Sequence, residues 1–392
     1  AGVRSVRTFS YLMVIRTRSA ARQEPPAQRD TKHVDPVREL LLKLILKTSP
    51  ALNLRLRKLC GPFEAAATGL AHLVSVTVTV DFMTICVPVL TVMASVAFAQ
   101  QLLLLSSLVV ICCNLAKNAL RLPRPALRPG QQSRPLAELE QSYGFPSLHA
   151  AAALALPMLA VSPASPLVAA LPEAQLAGAR AAALGWALLI GWARLHLGVH
   201  SLPDVLGGWA LGLLVWRQFD AVLASGALEA AMASAWLAPC AAPLILLLAL
   251  GLPKGRALPG QAGATDTTVL EGVINLGCTL GSLVCAWRQA QLPALVLPPL
   301  LPGLAGLDDA LGVLLRVLAA LVGTLLAKLL FKQVARRAVD VVGDLVGWPP
   351  SPAHADGTSA RERCARLCSY TLLVLVVFDV SPALVNPRAG YE

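Results

Sequence analysis

Three short polar clusters interrupt the apolar runs of this sequence, and each holds residue types suited to gripping and transferring a phosphoryl group. In KNALRLPRP, Lys117 to Pro125, the apolar run ends at Lys117 and Arg124 follows between two prolines. Lysine supplies a point charge and arginine a planar fork, two complementary ways to hold phosphate oxygens. The flanking prolines fix φ and stiffen the approach to Arg124. In GFPSLHA, Gly144 to Ala150, Pro146-Ser147 before an Ala/Leu run reads as a helix start capped by Ser147, with His149 in the first turn. First-turn N–H groups favour anions. In ARLHLGVHSLPD, Ala193 to Asp204, Arg194 precedes His200, and Asp204 lies four residues beyond His200. An acid one helical turn from a histidine can orient the ring, fix its tautomer and leave the other nitrogen as a nucleophile or base.

Each cluster also has an ordinary explanation. Basic residues flank membrane helices, and a histidine at a helix start is unremarkable. His196, His200 and Asp204 recur at intervals of four, as zinc ligands on one helix face do. Pro203 breaks the helix that this would need, and no further ligand completes the set, so no metal or cofactor is expected. His196 reads better as an amphipathic side chain at the interface.

The elements that must position these clusters are membrane helices. Of 392 residues, 56% are hydrophobic and 14% charged, with a mean hydropathy of +0.65; a soluble domain carries nearer a quarter charged. Apolar stretches run over roughly 68–98, 101–120, 148–170, 177–197, 203–223, 228–252, 269–287, 308–331 and 367–387, each near the ~20 residues needed to cross the hydrocarbon core. About eight to ten spans follow, and the fold is expected to be all-α, because backbone groups in lipid need partners within their own segment. Polar loops fall at 121–146, 253–268 and 346–363. Residues 1–62 form a basic arm, with Val37 to Leu56 patterned as a helix on the headgroups; its start could also pass for a transit peptide. The net charge of +11 then points to lipid headgroups or phosphate esters rather than nucleic acid. The nine cysteines form no C-x-x-C pair and read as small buried side chains.

Together the clusters resemble the signature of the type 2 phosphatidic acid phosphatase (PAP2) superfamily: Lys, six residues, Arg-Pro; Pro-Ser-Gly-His; and Ser-Arg, five residues, His, three residues, Asp. Lys117, Arg124-Pro125, Pro146-Ser147-Leu148-His149, Arg194, His200 and Asp204 match in order and spacing. Leu148 replaces the glycine, and Ala193 the serine before Arg194. The resemblance covers roughly residues 66–225. It implies a PAP2-type catalytic core over 63–225, with additional transmembrane helices over 226–392.

The resemblance also implies roles. Lys117, Arg124 and Arg194, with Ser147 and the backbone N–H groups at Leu148 and His149, would hold the phosphate. His200, oriented by Asp204, would attack phosphorus to give a phosphohistidine, and His149 would protonate the leaving group and then activate water. The activity would be a metal-independent phosphoric monoester hydrolase. Tyr143-Gly144-Phe145, the run Gly198 to Asp204, Thr265-Asp266-Thr267-Thr268 and the spans after 225 look closest to sphingosine-1-phosphate and long-chain-base phosphatases. That branch implies the endoplasmic reticulum and a lumenal site. Broader lipid phosphate or polyprenyl pyrophosphate hydrolysis and phosphotransfer are neighbouring readings. A transporter or scaffold, with Asp81 and Glu271 as intramembrane charges, is the reading from a different class.

Overall fold

The computed structural model describes residues 36–125, 142–165, 167–168, 171–252, 267–291, 310–349 and 359–380. The arm before residue 36, residues 126–141 of the first polar loop, the loop containing Thr265 and Asp266, residues 350–358 and the end of the last apolar run lie outside the described residues. Among the described residues there are helices and no strand, as backbone self-sufficiency in lipid demands.

The helices are α1 (Pro36–Leu59), α2 (Glu64–Val76), α3 (Val80–Met93), α4 (Val96–Leu120), α5 (Leu148–Ala160), α6 (Glu173–His196), α7 (Leu202–Ala224), α8 (Ala227–Ala233), α9 (Leu237–Gly251), α10 (Thr267–Gln291), α11 (Ala310–Leu345) and α12 (Ala360–Leu375), followed by a π-helical turn, Val376–Val380. Four of them are long and apolar enough to cross a membrane. The number rises to six if the bent pairs Leu52–Leu59 with Gly61–Val76, and α7 with α8, each form one span. This is compatible with an integral membrane protein. The nine apolar runs of the sequence, read there as about eight to ten spans, divide differently because several break into short helices. The run 68–98 spreads over α2, α3 and the start of α4, and α3, α5 and α9 are shorter apolar helices, spanning 10–17 residues.

Capping explains where the helices nearest the polar clusters start and stop. Ser95 Oγ accepts the Phe98 N–H at the start of α4 (3.0 Å), and the helix ends on Arg121 in the left-handed region, φ 50°. Ser147 Oγ accepts the Ala150 N–H at the start of α5. Ser201 and Asp204 form a reciprocal capping box at the start of α7.

Two close helix contacts fix the centre. A Cβ at Gly208 would strike the Ser147 carbonyl, and one at Gly212 the Ala151 carbonyl, so α7 lies directly on the α5 backbone. Around this pair, Leu105, Val109 and Cys113 of α4 pack with Ala151, Ala155 and Leu159 of α5 and Trp216 of α7 in a buried cluster. A second cluster joins Ala99 and Leu103 of α4 to Cys278 and Cys285 of α10 and Val374 and Phe378 near the end of the described chain. All nine cysteines are free thiols.

The basic α1 lies across the ends of the other helices. Arg38 Nε donates to the Leu120 carbonyl (3.0 Å), Asn53 Nδ2 to that of His200 (3.4 Å) and Arg57 Nε to that of His196 (3.0 Å). The first and last of these bonds reach carbonyls at helix C-termini, Leu120 and His196, that have no partner within their own helix, and the second reaches the link between α6 and α7.

Candidate active site

The three polar clusters converge where α4 ends and α5 and α7 begin. The polar loop is drawn in at its base, where the Gly144 N–H donates to the Leu122 carbonyl (2.9 Å). Arg124 is held from two sides. Its Nε and Nη2 donate to the carbonyl and hydroxyl of Ser142 (2.9 and 2.8 Å), and Nη1 donates to the Val199 carbonyl (3.0 Å). The aim of Arg124 therefore comes from Ser142 and Val199 as well as from its flanking prolines.

His200 sits in the link between α6 and α7, almost fully buried. Its Nε2 lies 3.2 Å from Nη1 of Arg124. A guanidinium can only donate, so Nε2 accepts and the neutral ring carries its proton on Nδ1. Nδ1 faces Asp204, 3.6 Å from Oδ2. That distance is longer than a hydrogen bond, and Oδ2 also accepts the Ser201 N–H at 2.7 Å. Nδ1 of His200 and Oδ1 of Asp204 are both buried without a hydrogen-bond partner. Burial, followed by the charges of Arg124, Arg194 and Lys117, holds the His200 imidazole well below the ordinary histidine range, in its neutral form.

Lys117 and Arg194 are also buried. Arg194 Nη1 donates to Ser75 Oγ of α2 at 3.3 Å, and Arg194 Nε is buried without a partner. Leaving a buried donor unsatisfied costs about 1–3 kcal/mol, and three cations gathered around one ring repel one another. Such a cluster is electrostatically suited to a compact polyanion. Lys117, Arg124 and Arg194 all act on His149 as well as on His200.

His149 occupies the second position of α5 and, with Leu148 and Arg194, lines a cavity of about 400 Å³. Ser147 is fully buried; its hydroxyl caps α5 and its N–H donates to the Asp204 carbonyl (2.9 Å). This bond ties the second cluster to the third.

Residues 89–222 match the PAP2 superfamily. Phosphatases of the PAP2 superfamily are of the lipid-phosphate type and metal-independent. Neither a curated protein nor a solved structure matches the chain. Lys117, Arg124, Ser147, Leu148, His149, Arg194, His200 and Asp204 all fall inside the PAP2 match.

The two departures from the PAP2 signature have different surroundings. Leu148 contributes to the cavity wall. Ala193 is fully buried against Ala71 and Val74 of α2, so a hydroxyl there would meet apolar packing. His196 is separated from His200: its ring contacts Thr68 Oγ1 (3.1 Å) and stacks on Trp192. The interval of four that could suggest a shared ligand face is thus split by the end of α6 at His196. Among the described residues no cluster of three or more His, Cys, Asp or Glu stands ready for a metal ion.

Sequence reasoning missed the supports. Asn53, Arg57, Ser75 and Ser142 carry no motif, and their only signal is a polar side chain in or beside an apolar pattern.

Proposed function

We propose that the chain is an integral membrane phosphatase that hydrolyses a lipid phosphate monoester through a phosphohistidine on His200. The observation that carries this reading is the neutral His200 ring, with Nε2 turned to the half-buried Arg124 and Nδ1 to Asp204, near the buried cations Lys117 and Arg194. Lys117, Arg124 and Arg194 bind the phosphate and spread over its equatorial oxygens, where charge must be stabilised. The Leu148 and His149 N–H groups, free of intrahelical partners at the start of α5, add hydrogen bonds.

Nε2 of His200 attacks phosphorus, the P–N bond forms and the P–O bond to the alkoxide breaks. His149, charged once the bound phosphate dianion offsets Lys117, Arg124 and Arg194, passes its proton to that alkoxide and becomes neutral. In the second step His149 takes a proton from water as it attacks phosphorus, the P–N bond breaks and inorganic phosphate leaves. Asp204 stabilises the proton on Nδ1 as the ring becomes positively charged.

The substrate in this reading is sphingosine 1-phosphate or a related long-chain base phosphate, a choice supported by the residues around Tyr143 and Gly198 to Asp204. Residues 63–225 are the catalytic core. The location is the endoplasmic reticulum, with the site facing the lumen.

The deciding experiment is phosphate release from sphingosine 1-phosphate by purified wild type and His200→Ala with EDTA present, alongside trapping of ³²P on the protein. Wild type alone should release phosphate and form an acid-labile phosphoenzyme. Equal release by both proteins would sink the histidine mechanism.

A further inference from the structure

The cavity that receives His149 and Arg194 is not walled by the PAP2-matched residues alone. Its far side is built by α10 and α12, through Ile274, Cys278, Tyr370 and Val374, all outside residues 89–222. The start of α10 is fastened beside Lys117. Asn114 Nδ2, one turn before Lys117, donates to the Thr268 carbonyl (3.1 Å) and to the Glu271 carboxylate (3.3 Å), and Thr268 Oγ1 donates to Asn118 Oδ1 (3.3 Å).

Glu271 thereby lines the same cavity as His149 and Arg194, and its charge reaches Lys117. Among the described residues its carboxylate is in no ion pair. Asp81, the other acid on the cavity wall, has a 92% exposed side chain and pairs with Lys328 at 3.5 Å.

A carboxylate facing a largely apolar space, with one neutral hydrogen bond and no direct ion pair, is only partly compensated by the more distant Lys117. It gains most from a ligand cation placed opposite the phosphate-binding group. The cavity thus presents Arg194 and His149 in its wall, with Lys117 and Arg124 acting on His149 from outside the lining, together with the Glu271 carboxylate and largely apolar walls. A lipid with phosphate and ammonium on neighbouring carbons and a single long chain is complementary to that order; a diacylglycerol phosphate has no cation to offer.

We propose that Glu271 receives the ammonium group of a 2-amino-1-phosphate lipid, while α10 and α12 hold its chain, which makes Glu271 a specificity-determining residue contributed by the C-terminal helices. This rests on the lipid-phosphatase reading above.

The test compares sphingosine 1-phosphate, its N-acetyl derivative and a saturated alkyl phosphate without an amine, on wild type and Glu271→Gln. Wild type should prefer the amine substrate. N-acetylation in wild type, and Glu271→Gln with the amine substrate, should each raise KM about tenfold to a hundredfold, the range for losing a hydrogen-bonded charge. The alkyl phosphate should be turned over equally by wild type and Glu271→Gln. A fall on all substrates in Glu271→Gln would make Glu271 a support for Lys117 and overturn the proposal, as would equal wild-type kinetics with and without N-acetylation. Wild-type activity on the alkyl phosphate alone would leave the phosphatase reading standing and remove only the ammonium site. Activity on none of the three would overturn the phosphatase reading and this one with it.

Discussion

Nη1 of Arg124 and Nε2 of His200 stand 3.2 Å apart, so the guanidinium that is to grip phosphate also covers the lone pair that is to attack it. A phosphate entering the site must draw the guanidinium off the ring, which couples binding to exposure of the nucleophile. Lysine at this position would keep the charge but lose the fork that bonds Ser142 and Val199. Arg124→Lys is therefore expected to lower kcat/KM about a hundredfold or more, in the range of losing an electrostatic donor, with little change in thermal midpoint. A loss below tenfold in steady-state assays would show that charge alone suffices.

The pH dependence follows from the same surroundings. His200 is held well below its ordinary value of 6.5 by burial and then by Arg124. A lowered histidine pKa keeps the neutral, nucleophilic ring populated as pH falls, and competence is lost only below the lowered value. In log kcat/KM the acidic side should show the second phosphate ionisation of the substrate, near pH ~6, and no additional proton uptake at or above that point. A second acidic limb between about 6 and 7 would contradict a neutral His200.

Asp204 has two duties that mutation can separate. Its carboxylate caps α7 through the Ser201 N–H and faces the protonated side of His200. Asp204→Asn can keep the cap but not the charge, so kcat should fall by about 10²–10⁴ with the fold intact. Ser201→Ala removes the other half of the capping box, at about 1 kcal/mol of stability, and should cost far less activity. Thermal unfolding beside single-turnover rates would distinguish them, and the reverse ranking would contradict the assignment.

Leu148 stands where the PAP2 signature has glycine, and its side chain takes up room in the cavity. Leu148→Gly should shift the ratio of phosphatidic acid to sphingosine 1-phosphate turnover toward the bulkier, two-chain substrate. Competition assays in mixed micelles would measure the ratio, and an unchanged value would show that Leu148 does not set access.

What the sequence made legible was local. His200 and Asp204 share the capping-box segment, and Ser147 with His149 share a helix start, so short-range spacing was enough to place each set. The helical class followed from apolar runs that have one structural solution in lipid. The tertiary supports were not legible: Ser75 reaches Arg194 and Asn53 reaches the His200 carbonyl across 119 and 147 residues of chain, separations that no periodicity encodes. Span boundaries were likewise blurred, because α3 and α5 read as continuations of apolar runs until their ends are seen. Glu271 was visible only as a charge inside an apolar stretch, and its position beside Lys117 depends on how the start of α10 docks on α4.

The cavity wall reaches the protein surface at Asp81, the exposed residue that pairs with Lys328 between α3 and α11. If that flank is the doorway, the membrane itself is the reservoir that feeds the reaction. Turnover then follows how crowded the leaflet is with substrate rather than how much lies in the surrounding water. Diluting the membrane with inert lipid would slow such an enzyme even when the total amount of substrate is unchanged.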